Sequence, residues 1–265
     1  MALALKDKGI VTKIFAVDQN PAHGQLALEL GIADEVADLD SALAQSDLVV
    51  LSIPVDAAAK LLPEIMSKVS SQVVFDVSST KKVICDTALH CENAGRFVAS
   101  HPMWGTEFHG PQAAQKGAFA HKAAVICHKE RSDADAVAMV EKIYLALGMH
   151  LLYMDAAAHD VHAAYISHIS HVSSFALANT VLEKEKEDDK IFEMASGGFE
   201  SSVRLAKSNA AMWVPIFIQN KENLLDVLNE HISQLRKFKS CLEKENYTYL
   251  AELIENANTI KRILK

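Results

Sequence analysis

The sequence predicts an α/β fold: a doubly wound parallel sheet followed by an all-helical region. Up to about residue 154, short apolar runs alternate with segments of helical periodicity; beyond it strand signals stop and apolar residues recur only at helical spacing. The apolar runs are rich in Val, Ile and Leu and are apolar on both faces, the pattern of parallel strands covered by helices.

Strands are expected at 13–18, 48–55, 73–78, 96–101, 123–127 and 150–154, each a β-branched or apolar run bounded by turn residues. Helices are expected at 1–8, 21–30, 40–44, 55–66, 82–93 and 133–147, the last with Asp133 as N-cap and Gly148 as its stop. Residues 155–185 read as one long helix rich in Ala, Ile, Val and His, ending in a charge run at 183–190 that reads as a solvated helix end or connection. Further helices are expected near 199–209, 212–239 and 247–263. The division falls near Met154, giving domains 1–154 and 155–265.

Half of the 265 residues are hydrophobic, enough for a substantial core. A net charge of −8 argues against a nucleic-acid or anionic-membrane surface but leaves room for a local arginine to bind a small anion. Cys85, Cys91, Cys127 and Cys241 are scattered without a CxxC pair, so they read as reduced thiols of a cytoplasmic protein, with neither disulfides nor a zinc site implied. No apolar run is long enough to span a bilayer, and the chain opens on an amphipathic, Lys-containing segment in place of a signal peptide.

Ile14-Phe15-Ala16-Val17-Asp18 is an apolar strand ending in an acid. In a dinucleotide-binding fold an acid there accepts the ribose hydroxyls of NAD; Asp is also a common turn former. The next apolar run, Leu48-Val49-Val50-Leu51-Ser52-Ile53-Pro54, is broken by Pro54 where a cofactor would lie, which puts Ser52 and Pro54 beside it. A Rossmann-like fold opens with a first strand and a Gly-x-Gly-x-x-Gly turn, and this chain carries neither: Met1-Ala2-Leu3-Ala4-Leu5-Lys6 looks like the helix that follows that turn. Two expectations compete: a start that belongs further upstream, or a short form with weak or no NAD binding; the first is favoured.

Three segments carry chemistry. An apolar strand runs into His101-Pro102-Met103-Trp104-Gly105-Thr106-Glu107; His159-Asp160 leads into Tyr165-Ile166-Ser167-His168-Ile169-Ser170-His171; and Gly197-Gly198-Phe199 leads into Arg204. Together, and over nearly the whole chain, they resemble the prephenate/arogenate dehydrogenase family of tyrosine biosynthesis. The resemblance implies NAD-dependent oxidative decarboxylation of prephenate to 4-hydroxyphenylpyruvate, in a cleft between a dinucleotide-binding domain and an all-helical domain that forms a homodimer. Arogenate is the nearest alternative substrate.

It further implies a role for each matching residue. His101 is the catalytic histidine, a neutral imidazole that accepts a hydrogen bond from the substrate hydroxyl. Ser78, in Asp76-Val77-Ser78-Ser79-Thr80-Lys81, presents a hydroxyl between nicotinamide and substrate; Ser79 matches the motif as well, and either serine also suits an N-cap of the helix from Lys82. Arg204 clamps the substrate side-chain carboxylate. Glu107 and Thr106 lie at the entrance, and His171 with His168 lines the pocket. At Ser201 the family often has an acid, so an ion pair made there is lost. His168 and His171 share a helical face and also suit plain helix–helix hydrogen bonding or, less well, a metal. Trp213 and Phe217 read as core or dimer packing, and the polar run 219–223 as a family signature or an exposed face. Relatives of 6-phosphogluconate dehydrogenase would need a catalytic Lys where this chain has His168 and His171. A non-catalytic binding protein is the reading from another class, motivated by the absent glycine turn.

Overall fold

The computed structural model describes residues 1–186 and 190–263. Of the charge run, residues 187–189 lie outside the described residues. The chain forms two compact units, Met1–Asn220 and Lys221–Lys265.

The first unit opens with α1 (Ala2–Asp7), β1 (Phe15–Ala16), α2 (Pro21–Glu29), β2 (Glu35–Val36), α3 (Leu39–Ala44), β3 (Leu48–Leu51), α4 (Val55–Lys68) and β4 (Val73–Asp76). It continues with α5 (Lys82–Ala88), β5 (Phe97–Pro102), β6 (Ala123–Cys127), α6 (Ala134–Ala146) and β7 (His150–Met154). The helices α7 (Ala156–Ala163), α8 (Ile169–Glu185), α9 (Gly197–Val203) and α10 (Ala210–Gln219) complete it. The second unit contains α11 (Lys221–Glu243) and α12 (Tyr247–Asn258).

Strands β3 to β7 form one sheet in sequence order, and β1 and β2 form a separate parallel pair. The α/β character is as expected, with one correction: β5 and β6 run antiparallel, while the other neighbours are parallel. Strand direction leaves no mark on an apolar run buried on both faces, so the pattern could not reveal it. A second correction concerns β7, whose Leu152 and Tyr153 are exposed because it is the last strand of the sheet.

Successive residues of each central strand feed opposite faces of the sheet. Val74 and Ala99 join Leu62, Ile65, Met66 and Ile84 from α4 and α5 on one face. Val73, Phe75 and Val98 join Leu5 of α1 and Val140, Ile143 and Tyr144 of α6 on the other. Helices therefore cover both faces, and the carboxyl ends of the parallel strands are left free for a site.

Four features of the helices go beyond the expected periodicity, each for a local reason. The expected long helix at 155–185 contains a π-helical turn at Ala164–His168, between α7 and α8. Such one-residue insertions shift the helix face and are frequent at functional sites. The helix expected at 212–239 breaks at Asn220, whose side chain turns inward to bond other segments. Asp133 occupies the N-cap of α6 without a side-chain cap bond, its carboxylate facing Arg96. Neither Ser78 nor Ser79 caps α5: Lys81 holds the N-cap position, and the cap comes from Asp160, far along the chain.

Candidate active site

Two strand ends place the site. Asp76 closes β4, Ser78 follows it, and His101 lies near the end of β5. A charge in the middle of such a sheet needs a partner. Asp76 and Lys81 are both fully buried and form an ion pair. Lys81 Nζ also donates to the Ser100 carbonyl at 2.6 Å, and Asp76 Oδ1 accepts from Ser100 N at 3.0 Å. Ser100 Oγ meets the buried Tyr144 hydroxyl at 2.6 Å, which ties α6 to this strand end. The motif 76–81 is thus a buried frame that holds β4, β5 and the start of α5 in register.

His101 is half-buried on this frame. Its Nδ1 lies 2.9 Å from His159 Nε2, and His159 Nδ1 lies 2.8 Å from Asp160 Oδ1. Asp160 in turn accepts from the backbone N–H of Lys81 at 2.7 Å and of Lys82 at 2.9 Å, the first turn of α5. This carboxylate both caps the helix and faces its positive end. Asn220 Nδ2 donates to the Asp160 carbonyl at 2.7 Å and sits 3.1 Å from His168 Nδ1. Thr80 Oγ1 donates to Gln219 at 2.6 Å. The polar residues Gln219 and Asn220 therefore face inward, while Lys221 and Glu222 are exposed, so the exposed-face alternative holds for only part of the run.

Burial sets the acid–base character here. Desolvation, reinforced by nearby His159, Lys81 and His168, holds the His101 pKa well below its ordinary value. Desolvation also lowers His168, to about 4, and lowers His171. The site therefore presents neutral imidazoles at neutral pH, which accept protons or hydrogen bonds without prior charge. His171 stacks on Trp213 with ring centroids 3.4 Å apart, and His168 meets the same indole edge-on. Trp213 is buried as expected of core, and it forms the wall that joins the two histidines.

Arg204 is exposed, and its Nη1 donates to Glu107 Oε2 at 2.6 Å. Glu107 is held below its ordinary pKa, by its own backbone N–H first and then by Arg204. Thr106 accepts from Phe108 N at 3.3 Å in the same loop. Ser201 is exposed and donates to the Gly198 carbonyl.

The residues read as facing a cofactor lie at strand ends. Ser78 Oγ is buried without any partner, an orphaned hydroxyl at the carboxyl end of β4. Ser79 is half-buried. Ser52 and Pro54 follow β3, whose Leu51 pairs with Asp76, and both are exposed. Asp18 is exposed beyond β1, where it accepts from Asn20 N at 2.7 Å and faces His23 at 3.3 Å in the turn into α2. Among the described residues no group of His, Cys, Asp or Glu could hold a metal ion, and no helix is long and apolar enough to cross a membrane.

His159, Asp160, Lys81, Asp76 and Asn220 were not picked out as site residues from the sequence. The adjacent His159-Asp160 pair ahead of a histidine-rich helix was the visible signal.

Comparison with known proteins agrees with this architecture. The model for the nucleotide-binding domain of prephenate dehydrogenase matches residues 1–153, and that for its dimerization domain matches residues 155–256. Prephenate dehydrogenase of Bacillus subtilis is 28% identical over 261 residues, spanning 97% of this chain and 70% of that protein. Cyclohexadienyl dehydrogenase of Zymomonas mobilis is 29% identical over 245 residues, spanning 90% of this chain and 83% of that protein. The structure of prephenate dehydrogenase from A. aeolicus in complex with hydroxyphenyl propionate and NAD+ is similar with a TM-score of 0.88 and 27% identity, covering 100% of this chain and 93% of that one. With two family models covering both parts of the sequence, the chain belongs to the prephenate dehydrogenase family of oxidoreductases.

Proposed function

We propose that this chain is an NAD-dependent prephenate dehydrogenase of the cytoplasm, dividing into a nucleotide-binding domain at 1–154 and a helical domain at 155–265 that pairs with a second copy. The single observation that carries the reading is a neutral, desolvated His101 and an orphaned Ser78 hydroxyl at the ends of two neighbouring strands, β5 and β4, of a nucleotide-binding fold.

In the reaction, the ring hydroxyl of prephenate gives up its proton, the C–H pair on the same carbon leaves as hydride, and the ring carboxylate departs as CO2. The electron pair of that broken C–C bond enters the ring, which becomes a phenolate, and the proton held by His101 returns to its oxygen to give the phenol. His101 Nε2, the ring nitrogen not engaged by His159, accepts the hydroxyl proton. Ser78 donates to or accepts from the same oxygen, with Ser79 next to it. Arg204 anchors the side-chain carboxylate, with Glu107 setting its orientation and Thr106 beside it in the loop. His168 and His171, held by Trp213, line the ring pocket. Little cationic charge is left to grip the departing carboxylate, because Lys81 is committed to Asp76; tight ground-state binding there would slow its loss.

Ser78 fits a cofactor, since a buried hydroxyl without a partner calls for a ligand atom. Ser78, Ser52, Pro54 and Asp18 are the residues that would hold NAD, Asp18 at the ribose. When bound, the dinucleotide supplies the hydride acceptor.

Pairing is supported by α11, where Leu225, Ile232, Leu235 and Leu242 are exposed at heptad-like spacing. Four free thiols suit a reducing compartment.

NADH formation by the purified chain with prephenate or arogenate, and with NAD or NADP, tests the reading. Turnover of prephenate with NAD is expected. Turnover of arogenate alone would replace the substrate, and silence with both would overturn the function.

A further inference from the structure

The group that accepts the substrate proton is only half specified by its position, because an imidazole has two tautomers and only one leaves the outward nitrogen free. The surroundings of His101 select between them. Asp160 offers acceptor oxygens alone, and its Oδ1 faces His159 Nδ1 at 2.8 Å, so that nitrogen carries the hydrogen. A His159 that carries its single hydrogen on Nδ1 turns the Nε2 lone pair toward His101. His159 Nε2 lies 2.9 Å from His101 Nδ1, which must donate. His101 Nε2 is left with its lone pair exposed to substrate. The opposite tautomer would set two lone pairs against each other at 2.9 Å and aim an N–H at the hydroxyl.

The frame behind this selection is rigid. His159 and Asp160 are each 2% exposed. Asp160 is fixed by two backbone N–H groups of α5 and, through its carbonyl, by Asn220. The other charged or titratable groups facing His101 are Lys81, committed to Asp76, and His168.

We propose that His159 and Asp160 are positioning residues that lock His101 in its Nδ1–H tautomer, so that Nε2 is the acceptor. The proposal rests on the reading of His101 as the hydroxyl acceptor, but its test does not need substrate.

The test is two-bond 1H–15N correlation of the whole protein labelled with 15N-histidine, with the His101 signals assigned by their loss in His101→Gln. The expected result is Nδ1–H on His101 in the unaltered protein. His159→Leu should shift it to Nε2–H or to a mixture, and His159→Gln, whose carbonyl can accept from Nδ1, should restore it. In turnover, His159→Leu should lower kcat about 100-fold with KM little changed, the range of a misdirected general base, and His159→Gln should recover most of that loss. Nε2–H on His101 in the unaltered protein would overturn the proposal, as would an unchanged tautomer in His159→Leu. If that variant fails to fold, the tautomer of the unaltered protein decides. An inactive protein with Nδ1–H on His101 would refute the dehydrogenase reading and leave the lock standing; an active protein with Nε2–H would do the reverse.

Discussion

His159 and Asp160 are each 2% exposed, whereas the side chain of Arg204 is 51% exposed although Glu107 holds it at 2.6 Å. Both regions pair a nitrogen base with a carboxylate, yet the fold places one pair out of water and leaves the guanidinium of the other in it. The difference follows the task. A proton acceptor must be neutral when substrate arrives, and desolvation supplies that by disfavouring the imidazolium. An anchor for an anion must be charged and reachable, and a guanidinium keeps its charge in either setting, so exposure costs it nothing in protonation. Glu107 engages Arg204 through a single contact, which leaves the exposed guanidinium open to a substrate carboxylate.

The sharpest way to break the comparison is at its dry end. His101→Asn removes the acceptor and should lower kcat by about 10³- to 10⁴-fold with KM little changed, read in steady-state kinetics. Lys81→Met leaves Asp76 buried and unpaired, and should lower unfolding free energy by about 3–5 kcal/mol in a urea titration.

Burial of His168 has a pH signature. Its folded pKa of about 4 lies below the ordinary histidine value, so the unfolded chain binds the proton first as pH falls. The stability it permits is present above about pH 6.5 and is lost progressively as pH drops toward 4, by about 3 kcal/mol in all. His101 and His171, also lowered, act in the same direction. Melting temperature measured across that window should fall, and His168→Gln should flatten part of the slope.

At the wet end the effects are smaller and fall on binding. Arg204→Gln should raise KM for prephenate about 10- to 100-fold, the worth of a charge-assisted contact, with fold stability unchanged. A large loss of stability instead would make Arg204 a structural residue and erase the contrast.

Much of the fold was legible because apolar or β-branched runs announce strands: 123–127, buried on both faces, and 150–154, at the sheet edge, are found at those bounds. The two-residue β2 was missed, since Glu35-Val36 carries no period to read. The π turn at Ala164–His168 was invisible because one inserted residue barely disturbs helical spacing. For the site, the histidines were visible as residue types but their partners were not. Asp160 caps a helix some 80 positions earlier and orients His159 at once, and both duties depend on contacts that only the folded chain creates. Asn220 likewise looks like a polar surface residue until its bonds to Asp160 and His168 are seen.

The central claim is that a desolvated, neutral His101 takes the hydroxyl proton, and the pH dependence of kcat/KM for prephenate tests it most directly. The account predicts a rate that holds as pH falls through 6.5, the ordinary histidine value, and drops only below it, with His101→Asn removing that acid limb. An acid limb at or above the ordinary value, or one that survives in His101→Asn, would contradict it.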